Sequence, residues 1–237
     1  MEEETKTNEL REVTKELIGW EDNKLFRTLR GLTILPGQTI KEYCNGDKQK
    51  YLSPIVYFIG VTAIETYIAS FIGLYDSILK KSLEDLKLTT SDPTLNRFFD
   101  TGKVSEKVYE YLSFITSETG QKILIIPLLL FLTWLFYKKF NRSFKQNSWF
   151  AFYTLGHSTL LAIPVMLIWY LSKDLVLYSV ASMTLIFIYW VWSSKQFYEL
   201  TLGKAIVIRF FMTITALVTL NLLTLFVVMM MFMNYRR

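Results

Sequence analysis

The sequence predicts an all-α fold: a polytopic membrane helix bundle of about five transmembrane helices, with an amphipathic amino-terminal segment and a small helical loop on the opposite side. Three observations predict it. Hydrophobic residues make up 51% of the 237-residue chain and charged ones only 20%, where an ordinary soluble domain has about a quarter charged. The charges are segregated, leaving uncharged runs that reach the ~20 residues needed to cross a hydrocarbon core about 30 Å thick. The Lys and Arg residues stand beside those runs and alternate from one connection to the next, as the positive-inside rule requires.

The same placement accounts for the net charge of +5 without nucleic acid, so no direct nucleic-acid binding is expected. Cys44 is the one cysteine and His157 the one histidine. An internal disulfide and a Cys/His zinc site within one chain are therefore excluded, and neither metal nor cofactor is expected. The start, Met1-Glu2-Glu3-Glu4, is acidic without an apolar core, so the first span is expected to direct insertion.

Residues 1–53 read as an amphipathic cytoplasmic or interfacial segment. Leu10, Val13, Leu17 and Ile18 share one helical face. After Gly19-Trp20, Asp22 or Asn23 can cap a second helix that sets Leu25, Phe26, Leu29 and Leu32 against Lys24, Arg27 and Arg30. An apolar face beside a basic one suits a segment lying among anionic headgroups; it suits equally a helical hairpin packed on its own protein. Pro36-Gly37 starts a third short helix and Asn45-Gly46 stops it, with Ile40, Tyr43 and Cys44 on its buried side. Lys48, Lys50 and Tyr51 then stand at the membrane edge. Lys24, Arg27, Arg30, Lys48 and Lys50 are the candidate headgroup- or partner-binding residues.

The transmembrane domain, 54–237, contains spans at about 54–75, 119–137, 148–171, 175–193 and 205–233. In the second only Ile123–Tyr137 is uncharged, so Lys122 and Lys138 must snorkel. The connection 138–147 is basic with no acid, which places it, the amino terminus and the 194–204 connection in the cytoplasm. Arg236-Arg237 falls on the other side and is the one contrary signal. Residues 76–118 form the extracytoplasmic loop; Ser91-Asp92-Pro93 marks a turn, and Val104, Val108, Tyr111, Leu112 and Ile115 line one face of a helix.

The intramembrane polar candidates are Glu65, His157, Tyr153, Arg209 and Asn221. An acid at mid-bilayer depth costs about 2.5–3.5 kcal/mol on insertion scales, so Glu65 should face the bundle interior, with Arg209 as its in-chain counter-charge. His157 reads either as a proton relay or as a polar contact between helices at a small-residue face; the contact is favoured. Arg209, Thr213, Asn221 and Thr224 form a polar stripe on the last span. There is no H-E-x-x-H, no G-x-S-x-G and no phosphate-cradling glycine loop, so no residue is put forward as catalytic.

Leu35-Pro36-Gly37-Gln38-Thr39-Ile40-Lys41-Glu42-Tyr43 with Gly46, Lys48, Lys50-Tyr51 and Pro54 resembles the opening motif of an uncharacterised family of small multi-pass bacterial inner-membrane proteins, a domain of unknown function common in Bacteroidota. Phe150-Ala151-Phe152-Tyr153 with His157-Ser158, then Tyr189 and Phe197-Tyr198, are similar to later stretches of that family. The resemblance implies a bacterial inner membrane and a multi-span fold but no activity. Many members carry an amino-terminal zinc ribbon whose cysteines this chain lacks. The functional expectation is a non-enzymatic inner-membrane protein that contacts the lipid bilayer and self-associates as a homo-oligomer into a channel-like or membrane-perturbing effector. The alternative is an anchor or accessory scaffold recruiting a cytoplasmic protein partner through residues 10–50, in a stress or antiviral defence system.

Overall fold

The computed structural model describes residues 23–89, 111, 113–114 and 118–235; the helix expected at 10–18, the 91–93 turn, most of the 104–115 face and Arg236-Arg237 lie outside them. The described residues fold as an all-α bundle. Its helices are α1 (Lys24–Ile34), α2 (Pro36–Asn45), α3 (Pro54–Phe71), α4 (Leu74–Thr89), α5 (Glu118–Tyr137), α6 (Phe144–Ser172), α7 (Leu175–Phe197) and α8 (Leu202–Tyr235). Four are long and apolar enough to cross a membrane: α3, α6, α7 and the Leu202–Thr224 part of α8. The second predicted span is the single helix α5, which carries Pro127 in its interior and lies alongside α6 and α8.

Local chemistry sets the helix ends. The Asn23 side chain accepts from the Leu25 N–H at 2.8 Å and starts α1. Pro36 opens α2, and the Gly46 N–H closes it on the Glu42 and Tyr43 carbonyls. Ser53 caps α3 with Pro54 at its first position. Ser143 and Gln146 form a reciprocal capping box at the start of α6. Asp174 accepts from the Val176 and Leu177 N–H groups at the start of α7. The first span ends at Phe71; Gly73, at φ 72°, turns the chain into α4.

α6 is the central pillar, packing against α1, α2, α3, α5 and α7. Gly156 lets α3 close on it: a Cβ there would stand 3.1 Å from the Phe58 Cα. The core is largely aromatic at the end where α6 begins and α7 finishes. There Phe150 stacks on Phe197 at 5.1 Å and Tyr137 on Tyr198 at 4.1 Å, with Trp190 edge-on to Phe150. We call this the basic end, because Lys138, Lys139, Arg142, Lys145, Lys195 and Lys204 gather at it. A smaller cluster of Ala69, Leu74, Met166 and Trp169 closes the opposite end.

Residues 24–45 do not lie flat on this bundle. α1 and α2 form a helical hairpin whose tip enters it. The Tyr189 hydroxyl donates to the Leu32 carbonyl at 3.0 Å, and Thr33 Oγ1 meets His157 Nε2 at 3.2 Å. Just past the turn, Gly37 abuts Gln196 and Phe197 near the end of α7, so the hairpin tip extends from the level of the Phe150–Phe197 pair toward His157. Ile34 and Leu35 at the tip are exposed large hydrophobics, a surface suited to lipid. Of the two readings open to the amphipathic segment, for residues 24–45 the structure takes the packed hairpin.

The hairpin seats through Gly37. A Cβ at that position would meet Gln196 Cβ and the Phe197 backbone nitrogen, both at 2.3 Å, whereas nothing lies within 4 Å of a Cβ at Gly203. Gly37→Ala should therefore push α2 off α7 and destabilise the protein by about 1–3 kcal/mol, while Gly203→Ala, a helical position with open space, should be neutral or stabilising by up to about 1 kcal/mol. Thermal unfolding in detergent micelles compares the two.

Candidate functional site

The polar side chains inside the bundle converge on His157. It is fully buried near the middle of α6, and both ring nitrogens are engaged: Nδ1 with the Tyr57 hydroxyl of α3 at 2.7 Å, Nε2 with Thr33 of α1. Tyr189 of α7 lies against the ring, centroids 5.1 Å apart. One imidazole thus joins four helices, and its neutral form supplies one donor and one acceptor for the two hydroxyls. One turn toward the basic end, Tyr153 donates its hydroxyl to the Leu52 carbonyl, and the Leu52 N–H donates to Thr28 Oγ1 at 2.9 Å. Tyr43 of α2 packs edge-on against both Tyr153 and Trp149. The node clamps the hairpin on its inner side.

This arrangement answers the problem that a helix break poses where it packs against apolar helices. A break in a helix frees backbone groups, and each one left unpaired in hydrocarbon costs several kcal/mol. Here the break falls at Leu35-Pro36. Pro36 has no N–H to satisfy; the Leu35 N–H donates to the Gly31 carbonyl and the Gly37 N–H to Gln196 Oε1 at 3.0 Å. The Leu35 carbonyl accepts from the Thr39 N–H and hydroxyl, and Tyr189 takes the Leu32 carbonyl.

The outer side of the hairpin is held by charge. Lys50 and Tyr51 both reach Glu42 Oε2 at 2.6 Å, and Lys41 reaches Glu199 at 2.6 Å. Burial opposes ionisation of Glu42, but the hydrogen bonds from Lys50 and Tyr51 and the Lys50 charge outweigh it and hold the carboxyl below the usual range. Lys50 is pushed up by the same contacts. Burial raises the Cys44 thiol to about 11, with Arg142 pulling it the other way.

The other predicted residues do not join the node. Glu65 is buried on α3 toward the opposite end, where its Oε1 accepts from the Tyr75 hydroxyl at 3.2 Å. Its expected pairing with Arg209 is overturned. Arg209 sits over the Trp190 ring at 4.3 Å, on a helix that packs against α5 and α7 and not on the Glu65 face of α3. Asn221 is exposed and its amide donates to its own helix at Leu217, as Thr213 does at Arg209, so the polar stripe on α8 does not converge on a site. Lys24 and Arg30 are exposed on α1, Arg27 is half-buried beside them, and Lys48 is exposed near Trp149, 5.5 Å from its ring. Lys50, taken as a headgroup ligand, is instead half-occupied by Glu42.

Sequence reasoning missed Thr33, Gln196, Asn147 and Tyr198. Asn147 is 1% exposed and accepts the Tyr198 hydroxyl at 2.6 Å while donating to the Arg142 and Ser143 carbonyls; its signal is an amide placed one turn inside a capped span. Among the described residues no group of three His, Cys, Asp or Glu side chains is placed to hold a metal ion. An open groove of about 470 Å³ between α6 and α7, lined by Leu161, Leu185, Ile188 and Trp192 among others, is almost wholly apolar and offers no acid–base pair.

Residues 22–65 match the model of a family described as a protein of unknown function, DUF3667. The match covers the hairpin, the Leu52–Ser53 connection and the first two-thirds of α3, ending at Glu65, and thus both hairpin helices and Tyr57 of the node. No curated protein and no solved structure matches the chain.

Two outcomes follow from this geometry. Cys44 reports on the hairpin: at pH 8 the wild-type thiol should alkylate slowly, because a thiol near 11 is about a hundredfold less ionised than one near 9. Tyr57→Phe leaves the His157 ring nitrogen without its partner, a loss of about 1–3 kcal/mol, and should speed maleimide labelling of Cys44 severalfold. Acid should act through Glu42. Its folded carboxyl ionises at lower pH than the unfolded one, so the stabilisation is full above the unfolded value and disappears as pH falls through the folded value. Between pH 7 and pH 3 the wild type should lose up to about 1 kcal/mol more stability than Glu42→Gln, as read by thermal unfolding.

Proposed function

We propose that the protein is a non-enzymatic, multi-pass membrane anchor whose docked hairpin forms a rigid basic platform for an acidic partner on the cytoplasmic side of a bacterial inner membrane. The observation that carries this reading is the closed interior of the basic end. Tyr137, Phe150, Tyr153, Trp190, Phe197 and Tyr198 are all 6% exposed or less and occupy the space through which a single chain would have to conduct. The charges of that end point outward instead. Lys24, Arg30, Lys48, Lys138, Lys139, Lys145, Lys195 and Lys204 are exposed, while two of the nearby acids, Glu42 and Glu199, are already paired with lysines. A fixed positive field of this kind steers an acidic partner and speeds its encounter. The distribution of Lys and Arg supports a cytoplasmic position for the platform, and the resemblance of the opening motif supports the bacterial inner membrane. Membership of a stress or antiviral defence system belongs to the same proposal.

A channel-like homo-oligomer is the second reading. Glu65, a buried acid within a span, and the exposed apolar side chains Ile55, Val56, Ile59, Tyr67 and Phe71 along the rest of α3 favour it. Self-association through α3 would carry the acid toward a shared axis.

Ion flux through liposomes containing the purified protein separates the two. The platform reading expects flux no greater than that of empty liposomes for both wild type and Glu65→Gln. It also expects cellular cross-links from the hairpin to one cytoplasmic protein that weaken at least tenfold in a Lys24→Glu/Lys48→Glu double variant. Flux that collapses in Glu65→Gln would reverse the ranking.

A further inference from the structure

Arg209 is the charge the platform does not use. It lies seven residues, about 10 Å, inside the start of α8, only 8% exposed, facing α5 and α7. Among the described residues no carboxylate pairs with it. Its guanidinium lies over the Trp190 ring and reaches the Met212 sulfur at 4.0 Å, and its Nε hydrogen has no acceptor. Two further polar atoms on the neighbouring helices are equally without partners, Thr133 Oγ1 on α5 and Trp190 Nε1 on α7, and the Tyr137 hydroxyl faces Arg209 and Ser194.

A cation removed from water needs an anion, or the burial costs several kcal/mol. The ring of Trp190 returns about 2 kcal/mol of that at best. The carboxyl ends of α5 and α7 contribute only a partial negative charge, about half a unit each. The adjacent connection adds Lys138, Lys139, Arg142 and Lys145 without an acid, so the local field is positive throughout. The unpaired donors are the Arg209 Nε–H, the Thr133 hydroxyl and the Trp190 indole N–H, with the Tyr137 hydroxyl facing the same guanidinium, a set that suits a tetrahedral oxyanion.

We propose that Arg209, where α8 meets α5 and α7, is the principal ligand of a binding site for a phosphate group, with Tyr137, Thr133 and Trp190 as neutral donors. The phosphate has two sources of the same chemistry. One is the headgroup of an anionic phospholipid, admitted from the bilayer past the exposed Ile206, Val207, Phe210 and Phe211 of α8; the other is free inorganic phosphate from the basic end. In either case the bound anion neutralises Arg209 and strengthens the packing of α8 on α5 and α7.

The test is thermal unfolding of the full chain in maltoside micelles, which contain no phosphorus. Sodium phosphate and short-chain phosphatidylglycerol are added separately, each against sodium chloride of equal ionic strength. At a hundredfold excess over the dissociation constant the wild type should gain roughly 5 °C in a saturable manner. Arg209→Gln should lose that gain, and Lys195→Gln, which removes an exposed charge of the same end, should keep it. A gain with phosphate assigns the free anion; a gain with phosphatidylglycerol alone assigns the lipid headgroup. Should Arg209→Gln fail to fold, Thr133→Val replaces it and should weaken the apparent affinity for the additive severalfold. No saturable gain from either additive, or a gain that survives both variants unchanged, would overturn the site.

Discussion

The rest of this structure depends on satisfying a helix break inside an apolar environment. A chain that turns back between packed helices frees N–H and C=O groups that must find partners there. At Leu35-Pro36 the difficulty is met from three directions: by residues of the hairpin itself (Gly31 and Thr39), by α7 through Gln196 and Tyr189, and by α6 through His157, which fixes the adjoining Thr33. The hairpin therefore does not simply rest on the bundle. It supplies unpaired groups that the bundle needs to close, and the bundle supplies the acceptors and donors the hairpin needs to enter.

That mutual dependence explains the uneven packing along the membrane axis. The basic end concentrates the large ring systems, stacked or edge-on at 4.1–5.7 Å between α5, α6 and α7, and Gly37 lets the hairpin close on this end at Gln196 and Phe197. The opposite end is closed by the four residues Ala69, Leu74, Met166 and Trp169. Rigid aromatic contacts transmit position, so the outer rim of the hairpin, with Lys24, Arg30 and Lys48, is held at a defined place relative to the 138–147 connection. A basic surface that is also a fixed surface is what a docking platform requires, and a loosely tethered amphipathic segment would not provide it.

Much of this was legible locally. Pro36-Gly37, Asn45-Gly46, Asn23 and Ser53-Pro54 mark helix boundaries through chemistry that acts within a few residues, and the structure places the helices there. The location of the hairpin was not legible, because an apolar face beside a basic one is the same pattern whether the apolar face meets lipid or a protein groove. Thr33 and Gln196 carried no signal for the same reason: a threonine and a glutamine near helix ends are ordinary until a partner from a distant segment arrives. Pairing Glu65 with Arg209 failed for a geometric reason. Opposite charge selects a partner only among residues that share a depth and a facing surface, and α3 and α8 pack on different sides of the molecule.

Glu65 of α3 and Arg209 of α8 differ in what their surroundings supply. Glu65 accepts from the Tyr75 hydroxyl. The Arg209 guanidinium keeps its charge under any physiological condition, and its Nε hydrogen has no acceptor. The asymmetry makes Arg209, and not the acid that first draws attention in the sequence, the residue whose environment is incomplete within the described chain. Unpartnered donors gathered around one permanent cation fit the proposed anion site better than a pore, since a pore would have to open the same contacts that hold the hairpin in place.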